Sequence, residues 1–261
     1  MLRNDRIKFI MDFLQQNQTA KVGFLSKQLN VTPETIRRDL EHLEEVGTIK
    51  RVHGGAMINQ TNTPETNFLV REAINIKEKE FIALEACQYV QEGDFIALDV
   101  STTNTEIAKQ LQKNFNQLSI LTNSLTIATI VSQNPNFEVI LPGGRLRNSE
   151  LCIVGGSAIK QINRLHIDTF FMSVSGVSLT DGLMDIGHGE YEVKMAMFNN
   201  ATNTLVVADH TKFEATSMLR IGPLSSVNGI ITDPMIAQAI VEHFDSNGIP
   251  LFYYQEEQVE C

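Results

Sequence analysis

The chain is short of cysteine, of long apolar runs and of positive charge, and each shortage excludes something. Its three cysteines, Cys87, Cys152 and Cys261, are scattered without a CxxC pair, so neither a disulfide framework nor a zinc site is indicated. No apolar run reaches bilayer-spanning length. The opening MLRNDRIKFIMDFLQQ is amphipathic and interrupted by polar residues, unlike the apolar core of a signal peptide. A cytoplasmic protein with no membrane partner is expected. Lys and Arg number 21 against 31 Asp and Glu, a formal net charge of −10, so the chain as a whole repels nucleic acid.

That deficit is uneven. Residues 1–57 hold nine Lys/Arg and seven Asp/Glu, leaving twelve against twenty-four for the remainder. Only the N-terminal piece is able to face a polyanion, through a local patch. With 261 residues, 43% of them apolar, the chain has material for two domains.

In the first of these, Ile7, Ile10, Met11 and Leu14 recur at helical spacing and predict a helix over 3–16. Leu25 and Leu29 predict a second over 23–30, with Val31 plugging the turn. Thr32 then suits an N-cap, Pro33 the first helical position and Gly47 the position past the last turn, which predicts a third helix over 33–46. Its buried stripe is Ile36, Leu40 and Leu43, which leaves Thr35, Arg37 and Arg38 outside with Glu34, Glu41 and Glu45. Beyond it, TIKRVHGGAMI reads as a short basic hairpin turning at a Gly-Gly pair.

Three helices and a basic hairpin describe a winged helix-turn-helix. In that arrangement Thr35, Arg37 and Arg38 on the third helix are placed to read base edges in double-stranded DNA. Thr32, Lys50, Arg51 and His53 are placed to hold phosphates. Two arginines alone would read as solvated charges paired with neighbouring glutamates, and His53 alone as a turn histidine. The cap, the arginine pair, the glycine stop and the basic hairpin together favour DNA. The segment resembles the DeoR family of bacterial transcriptional regulators, whose V-S-x-x-T-I-R-R-D-L core and R-x-H-G-G-A ending correspond here to VTPETIRRDL and RVHGGA.

Residues 58–75, polar and aperiodic, read as a linker, followed by a domain over 76–261. Strands are predicted over 95–98, 118–121, 139–141, 169–174, 205–208, 229–231 and 251–253. Helices are predicted over 77–91, 104–113, 125–133, 158–163, 191–201 and 235–245. The fold class is therefore α/β, a small winged-helix domain followed by a larger domain with a mainly parallel sheet. Ligands of such sheets sit beyond the carboxyl ends of the strands. The loops there, LDVSTTNTEIA, LTNSLTIA, LPGGRLRNS and SVSGVSLTDGL, are rich in hydroxyl, amide and glycine residues. Ser101, Thr102 and Thr103 precede a helix as a phosphate site requires, and Asp99 is placed to accept from sugar hydroxyls.

This second part also resembles the DeoR sensor domain. The resemblance implies a ribose-5-phosphate isomerase-like fold that senses a phosphorylated sugar or related metabolite. It rests on DVSTT, on Thr122-Asn123-Ser124, on Gly143-Gly144-Arg145, on Ser175-Gly176-Val177, on Glu190 with Val193 and Lys194, and on the run Asp209 to Phe213. It implies a pocket lined by Asp99, Thr102, Thr103, Asn123, Gly143, Gly144, Gly176 and Lys212, with Ser101, Thr122, Ser124 and Arg145 in the same motifs. The family's usual Gly is Ser101 here.

An enzyme acting on a sugar phosphate is the alternative, but ribose-phosphate isomerases carry a D-G-A-D-E cluster where this chain has SVSGVS. A metal sensor fits no better, since the histidines and cysteines show no ligand spacing. The expectation is a non-enzymatic regulator, a repressor in preference to an activator, without cofactor or metal. Operator DNA and a phosphorylated sugar are its expected partners. A homodimer or homotetramer would match palindromic half-sites.

Overall fold

A computed structural model describes residues 3–45, 49–58, 68–187 and 189–254. The chain divides into two compact units, Met1–Ile76 and Lys77–Cys261.

In the first unit the helices are α1 (Arg3–Asn17), α2 (Val22–Gln28) and α3 (Pro33–Glu45). The expected stripes are its core. Ile7, Ile10, Met11 and Leu14 of α1 are buried with Leu25, Leu29, Ile36, Leu40 and Leu43. The cap also holds, with the Thr35 amide donating to Thr32 Oγ1 at 3.3 Å. Asn30, at φ 49°, ends the second helical segment two residues earlier than periodicity alone suggests. The expected Gly47 stop lies outside the described residues.

The hairpin pairs β2 (Ile49–Val52) with β3 (Gly55–Ile58) through Gly54 at φ 78°. A third strand, β1 (Thr19–Lys21), joins the other edge of β3 and is not foreseen from sequence. It accounts for the second glycine of the pair. A Cβ on Gly55 would lie 2.2 Å from the Ala20 carbonyl oxygen, so a side chain there would push β1 off the hairpin. The stretch read as linker also contains structure: α4 (Phe68–Ala73) packs on α1 with Phe68 buried, so these residues belong to the first unit.

The second unit opens with α5 (Ile76–Ala86), then alternates β4 (Phe95–Leu98), α6 (Thr102–Asn114), β5 (Ser119–Thr122), α7 (Leu125–Val131) and β6 (Glu138–Ile140). A hairpin of β7 (Arg145–Arg147) and β8 (Cys152–Val154) leads to α8 (Gly156–Ile162) and β9 (Ile167–Ser173). Next come β10 (Gly176–Ser178), β11 (Gly182–Asp185), α9 (Tyr191–Asn199), β12 (Ala201–Val207) and β13 (Leu219–Gly222). The last described elements are β14 (Gly229–Thr232), α10 (Gln238–Ser246) and β15 (Leu251–Tyr253).

The seven expected strands are the seven members of one sheet, ordered β15-β14-β12-β9-β4-β5-β6 and parallel throughout. Both faces are covered, which is why the strands are apolar runs instead of alternating ones. Phe170 and Met172 enter one core, and Phe171 between them enters the other. The β7–β8 hairpin and the antiparallel sheet β10-β11-β13 are additions with no sequence forecast.

From β4 the chain first runs outward through β5 and β6, then returns to β9 and runs outward the other way. The order therefore reverses between β4 and β9, and the crevice beyond their carboxyl ends is the position where such sheets bind ligands. Among the described residues no helix is long and apolar enough to cross a membrane.

Candidate nucleic-acid interface and effector crevice

On α3, Arg37 and Arg38 are exposed, as their flanking of buried Ile36 and Leu40 requires. Thr35 is half-buried and its hydroxyl lies 2.9 Å from that of Thr32, so both hydroxyls are held near the start of the helix. Lys50 and His53 are exposed on the hairpin and Arg51 is half-buried. Arg37, Arg51 and His53 line one groove together with Val22, Gly23, Pro33, Gly54 and Gly55. Arg38, about 100° further round the helix, does not line it. The two arginines of the motif thus face different surroundings.

Asp39, next to them, is buried. The Arg6 guanidinium donates to it twice, through Nε to Oδ2 at 2.8 Å and through Nη2 to Oδ1 at 3.1 Å, a two-point clamp that ties α3 to α1. Its signal was legible: Asp39 lies three residues after Ile36 and one before Leu40, on the buried stripe, where an acid needs a partner.

In the crevice, the expected polar residues fall into two groups. Most are engaged in holding the loops. Ser101 Oγ accepts from the Asn104 amide at 2.9 Å and caps α6. Thr122 Oγ1 accepts from the Ser124 amide at 3.1 Å, and Ser124 Oγ from the Ile127 amide at 3.3 Å. Asn123 reaches both ways, accepting from the Val100 amide at 3.0 Å and donating to the Ile153 carbonyl at 3.2 Å, which ties the β4 and β5 loops to β8. Gly144 and Gly176 permit close approach: a Cβ would lie 2.8 Å from Val154 O and 2.3 Å from Ala215 O respectively. The Gly143 amide donates to Gln161 Oε1 at 3.1 Å.

The second group comprises the buried Thr102 and Thr103 and the more accessible Arg145 and Lys212. Thr102 and Thr103 take the first two helical positions of α6, whose N–H groups have no acceptor within a helix. Arg145 is exposed at the start of β7, and Lys212 is half-exposed in the short turn His210–Lys212. Asn104 Oδ1, in the first turn of α6, is buried without a hydrogen-bond partner.

Asp99 departs from expectation. Its oxygens do not point at vacant space for sugar hydroxyls. Oδ1 accepts from Asn104 Nδ2 at 2.7 Å and from the Ser173 amide at 3.0 Å, and Oδ2 accepts from Ser173 Oγ at 2.7 Å. Lys194 Nζ completes the cage 3.1 Å from Oδ2. The same ammonium donates to Asp185 and to the Ser173 carbonyl, the latter at 2.6 Å, so its three donors are used. Ser175 Oγ in turn donates to Asp185 at 3.1 Å.

These contacts join β4, β9, β11 and α9 at the point where the sheet order reverses. Burial pushes the Lys194 ammonium down, but Asp185 and Asp99 outweigh it and hold it above its usual range. Asp185 is pushed up by burial and brought net below its usual value by Lys194 and by its hydrogen bonds. Asp99 feels burial most and is raised, opposed by Lys194 and Ser173.

Residues 6–62 match the DeoR-like helix-turn-helix domain, and residues 74–234 match the DeoR C terminal sensor domain. The chain belongs to the DeoR family. It is a DNA-binding transcriptional regulator. It is 36% identical over 247 residues to the HTH-type transcriptional regulator GolR of Listeria innocua, covering 95% of this chain and 97% of that one. To the HTH-type transcriptional repressor CsqR of Escherichia coli it is 33% identical over 254 residues, 97% of each. To the glycerol-3-phosphate regulon repressor of Escherichia coli it is 30% identical over 249 residues, 93% of this chain and 97% of that one. A slight structural likeness, TM-score 0.40 at 17% identity over 53% of this chain and 55% of the other, links it to ribose 5-phosphate isomerase A of Methanocaldococcus jannaschii and decides nothing about activity.

In this DeoR-family chain the residues that sequence reasoning passed over are Ser173, Asp185, Lys194 and Glu190. Lys194 and Glu190 stood inside a motif already quoted, but a buried lysine's role is set by partners 95 and nine positions away, which no local pattern shows. Glu190 sits where α9 meets the β7–β8 hairpin. The Cys152 thiol donates to its Oε1 at 3.6 Å, and Arg147 Nη1 lies 3.4 Å from the same atom. Burial and the nearby Glu150 charge push the Glu190 carboxyl up to about 7, against the pull of Arg147 and Lys194.

Proposed function

We propose that this regulator is a repressor of a carbohydrate operon whose hold on operator DNA is released by a phosphorylated sugar bound in the crevice beyond β4 and β9. The observation that carries the reading is the start of α6, where Thr102 and Thr103 stand at the first two helical positions beyond the carboxyl end of β4. Thr102 and Thr103 offer unpaired N–H groups at the positive end of a 13-residue helix, a ready site for a phosphate. Lys194 is fully engaged by its buried partners, so such an anion is assigned to the exposed Arg145 and the half-exposed Lys212. The names of two near full-length relatives, a glycerol-3-phosphate regulon repressor and the repressor CsqR, favour repression and a phosphorylated metabolite.

On the DNA side, Thr35 and Arg38 read bases, and Thr32, Arg37, Lys50, Arg51 and His53 serve the backbone and the groove beside it. A two-fold assembly matches a palindromic operator. Release requires the sugar to favour the DNA-incompetent state, by roughly 5 kcal/mol for a near-complete reversal. The test is fluorescence anisotropy on labelled DNA from upstream of the protein's own gene, titrated at fixed salt with a panel of sugar phosphates. Release by one of them establishes the reading, and binding that none of them alters refutes the phosphorylated sugar.

A further inference from the structure

The outer surface of α3 carries carboxylates that pair with the arginines proposed to meet DNA. Glu34 Oε2 lies 2.8 Å from Arg37 Nη1, three residues on in the same helix. Glu41 Oε1 lies 2.8 Å from Arg51 Nη1, reaching from α3 to the hairpin. Glu44 Oε1 accepts the Arg51 amide at 2.8 Å. The two glutamate side chains that hold guanidinium groups are 66% and 55% exposed. Exposed pairs of this kind contribute little to stability.

Their position is the informative part. Arg37 and Arg51 line the same groove between the start of α2, the start of α3 and the hairpin turn, so both clamped guanidinium groups converge where a DNA backbone would run. Each carboxylate repels a phosphate and competes with it for an arginine. A non-specific complex gains its affinity from phosphates, so it bears that competition in full. A specific complex adds base contacts from Thr35 and Arg38, and no ion pair to a described residue holds Arg38 back.

We infer that Glu34 and Glu41 are specificity-determining residues, an acidic gate that holds Arg37 and Arg51 away from DNA that offers only phosphates. Removing the gate raises affinity for any sequence and narrows the preference for the operator. This rests on α3 being the reading element.

The test uses the full chain without sugar phosphate. A DNA fragment is selected by the wild-type protein from a randomised pool. The selected fragment and a scrambled one of equal composition are then titrated by anisotropy at three salt concentrations with wild type, Glu34→Gln, Glu41→Gln and the double variant. The scrambled fragment is expected to bind the double variant about five- to tenfold more tightly, the range of one or two weak charge interactions. The selected fragment gains less, so the ratio of the two affinities falls at least threefold, with a steeper salt dependence. Thermal melts check folding, and Glu34→Gln alone carries the same test if the double variant is unstable.

An unchanged ratio overturns the gate. So does weaker binding of the selected fragment with the scrambled one unaffected, which would make Glu34 itself a base contact. Failure of the wild type to select any fragment overturns instead the assignment of α3, and the gate falls with it.

Discussion

Lys194 Nζ lies 3.1 Å from Asp99 Oδ2, with both side chains about 95% withdrawn from solvent, and this contact fastens α9 to the carboxyl end of β4. An ion pair this deep offsets the loss of water through its mutual attraction together with added hydrogen bonds, and here Asp185 and Ser173 supply the latter. Lys194→Met strips the charge from between two buried carboxylates. A loss of about 3–5 kcal/mol in the stability of the sensor unit is expected, the range for breaking a buried pair. Urea unfolding monitored by near-UV circular dichroism reads it.

The Arg6–Asp39 clamp fixes α3, the helix proposed to read bases, to α1. Arg6→Ala leaves a buried carboxylate without this donor, and a loss of about 1–3 kcal/mol in the N-terminal unit is expected. Operator binding should weaken although Arg6 does not belong to the reading surface. Arg6→Lys restores charge but not the two-point geometry and should recover only part of the loss, with thermal melts of wild type and both variants as the measurement.

Arg38→Ala removes an exposed guanidinium that no carboxylate of α3 clamps. Operator affinity is expected to fall by about 1–3 kcal/mol, as for one bidentate base contact, with affinity for scrambled DNA falling less and sugar-phosphate binding unchanged. Anisotropy with operators altered one base pair at a time identifies the position whose preference is lost.

The raised carboxyl of Glu190 gives the sensor unit a pH dependence of definite sign. Its folded value, about 7, lies above the ordinary 4.5, so the folded state binds the proton more tightly than the unfolded chain. The resulting stability is fully present below about pH 4.5 and is lost as the pH rises through about 7. Glu190→Gln imitates the protonated acid. Melting temperatures of wild type and variant should therefore agree near pH 5 and diverge by pH 8, with the variant the more stable.

Where the sequence was legible, periodicity or chemistry repeated within a few residues. The seven sheet strands are apolar because both faces are covered, and the stripe Ile36, Leu40 and Leu43 marks α3 at helical spacing. The three-residue strands β1 (TAK) and β7 (RLR) are polar at most positions and lack the apolar run that marked the equally short β6 and β15, and α4 is a short helix behind a polar stretch. In the crevice the residue types were readable and their duties were not. Asn123 and Ser101 looked like ligand contacts because amides and hydroxyls at strand ends serve both ligands and loops, and only three-dimensional contacts separate the two uses. Asp99 was placed correctly at the strand end, but its partners Lys194 and Ser173 arrive from distant segments.

Control of DNA binding by a phosphorylated sugar in the crevice beyond β4 and β9 can be read in one titration. Wild type and Lys212→Ala are each bound to operator DNA and titrated with the sugar phosphate panel under anisotropy detection. Equal operator affinity is expected for the two proteins, with release of the wild type by one sugar phosphate and a response of Lys212→Ala weakened at least tenfold, as loss of one charge-assisted phosphate contact implies. Identical release of both proteins, or no release of the wild type by any member of the panel, would contradict it.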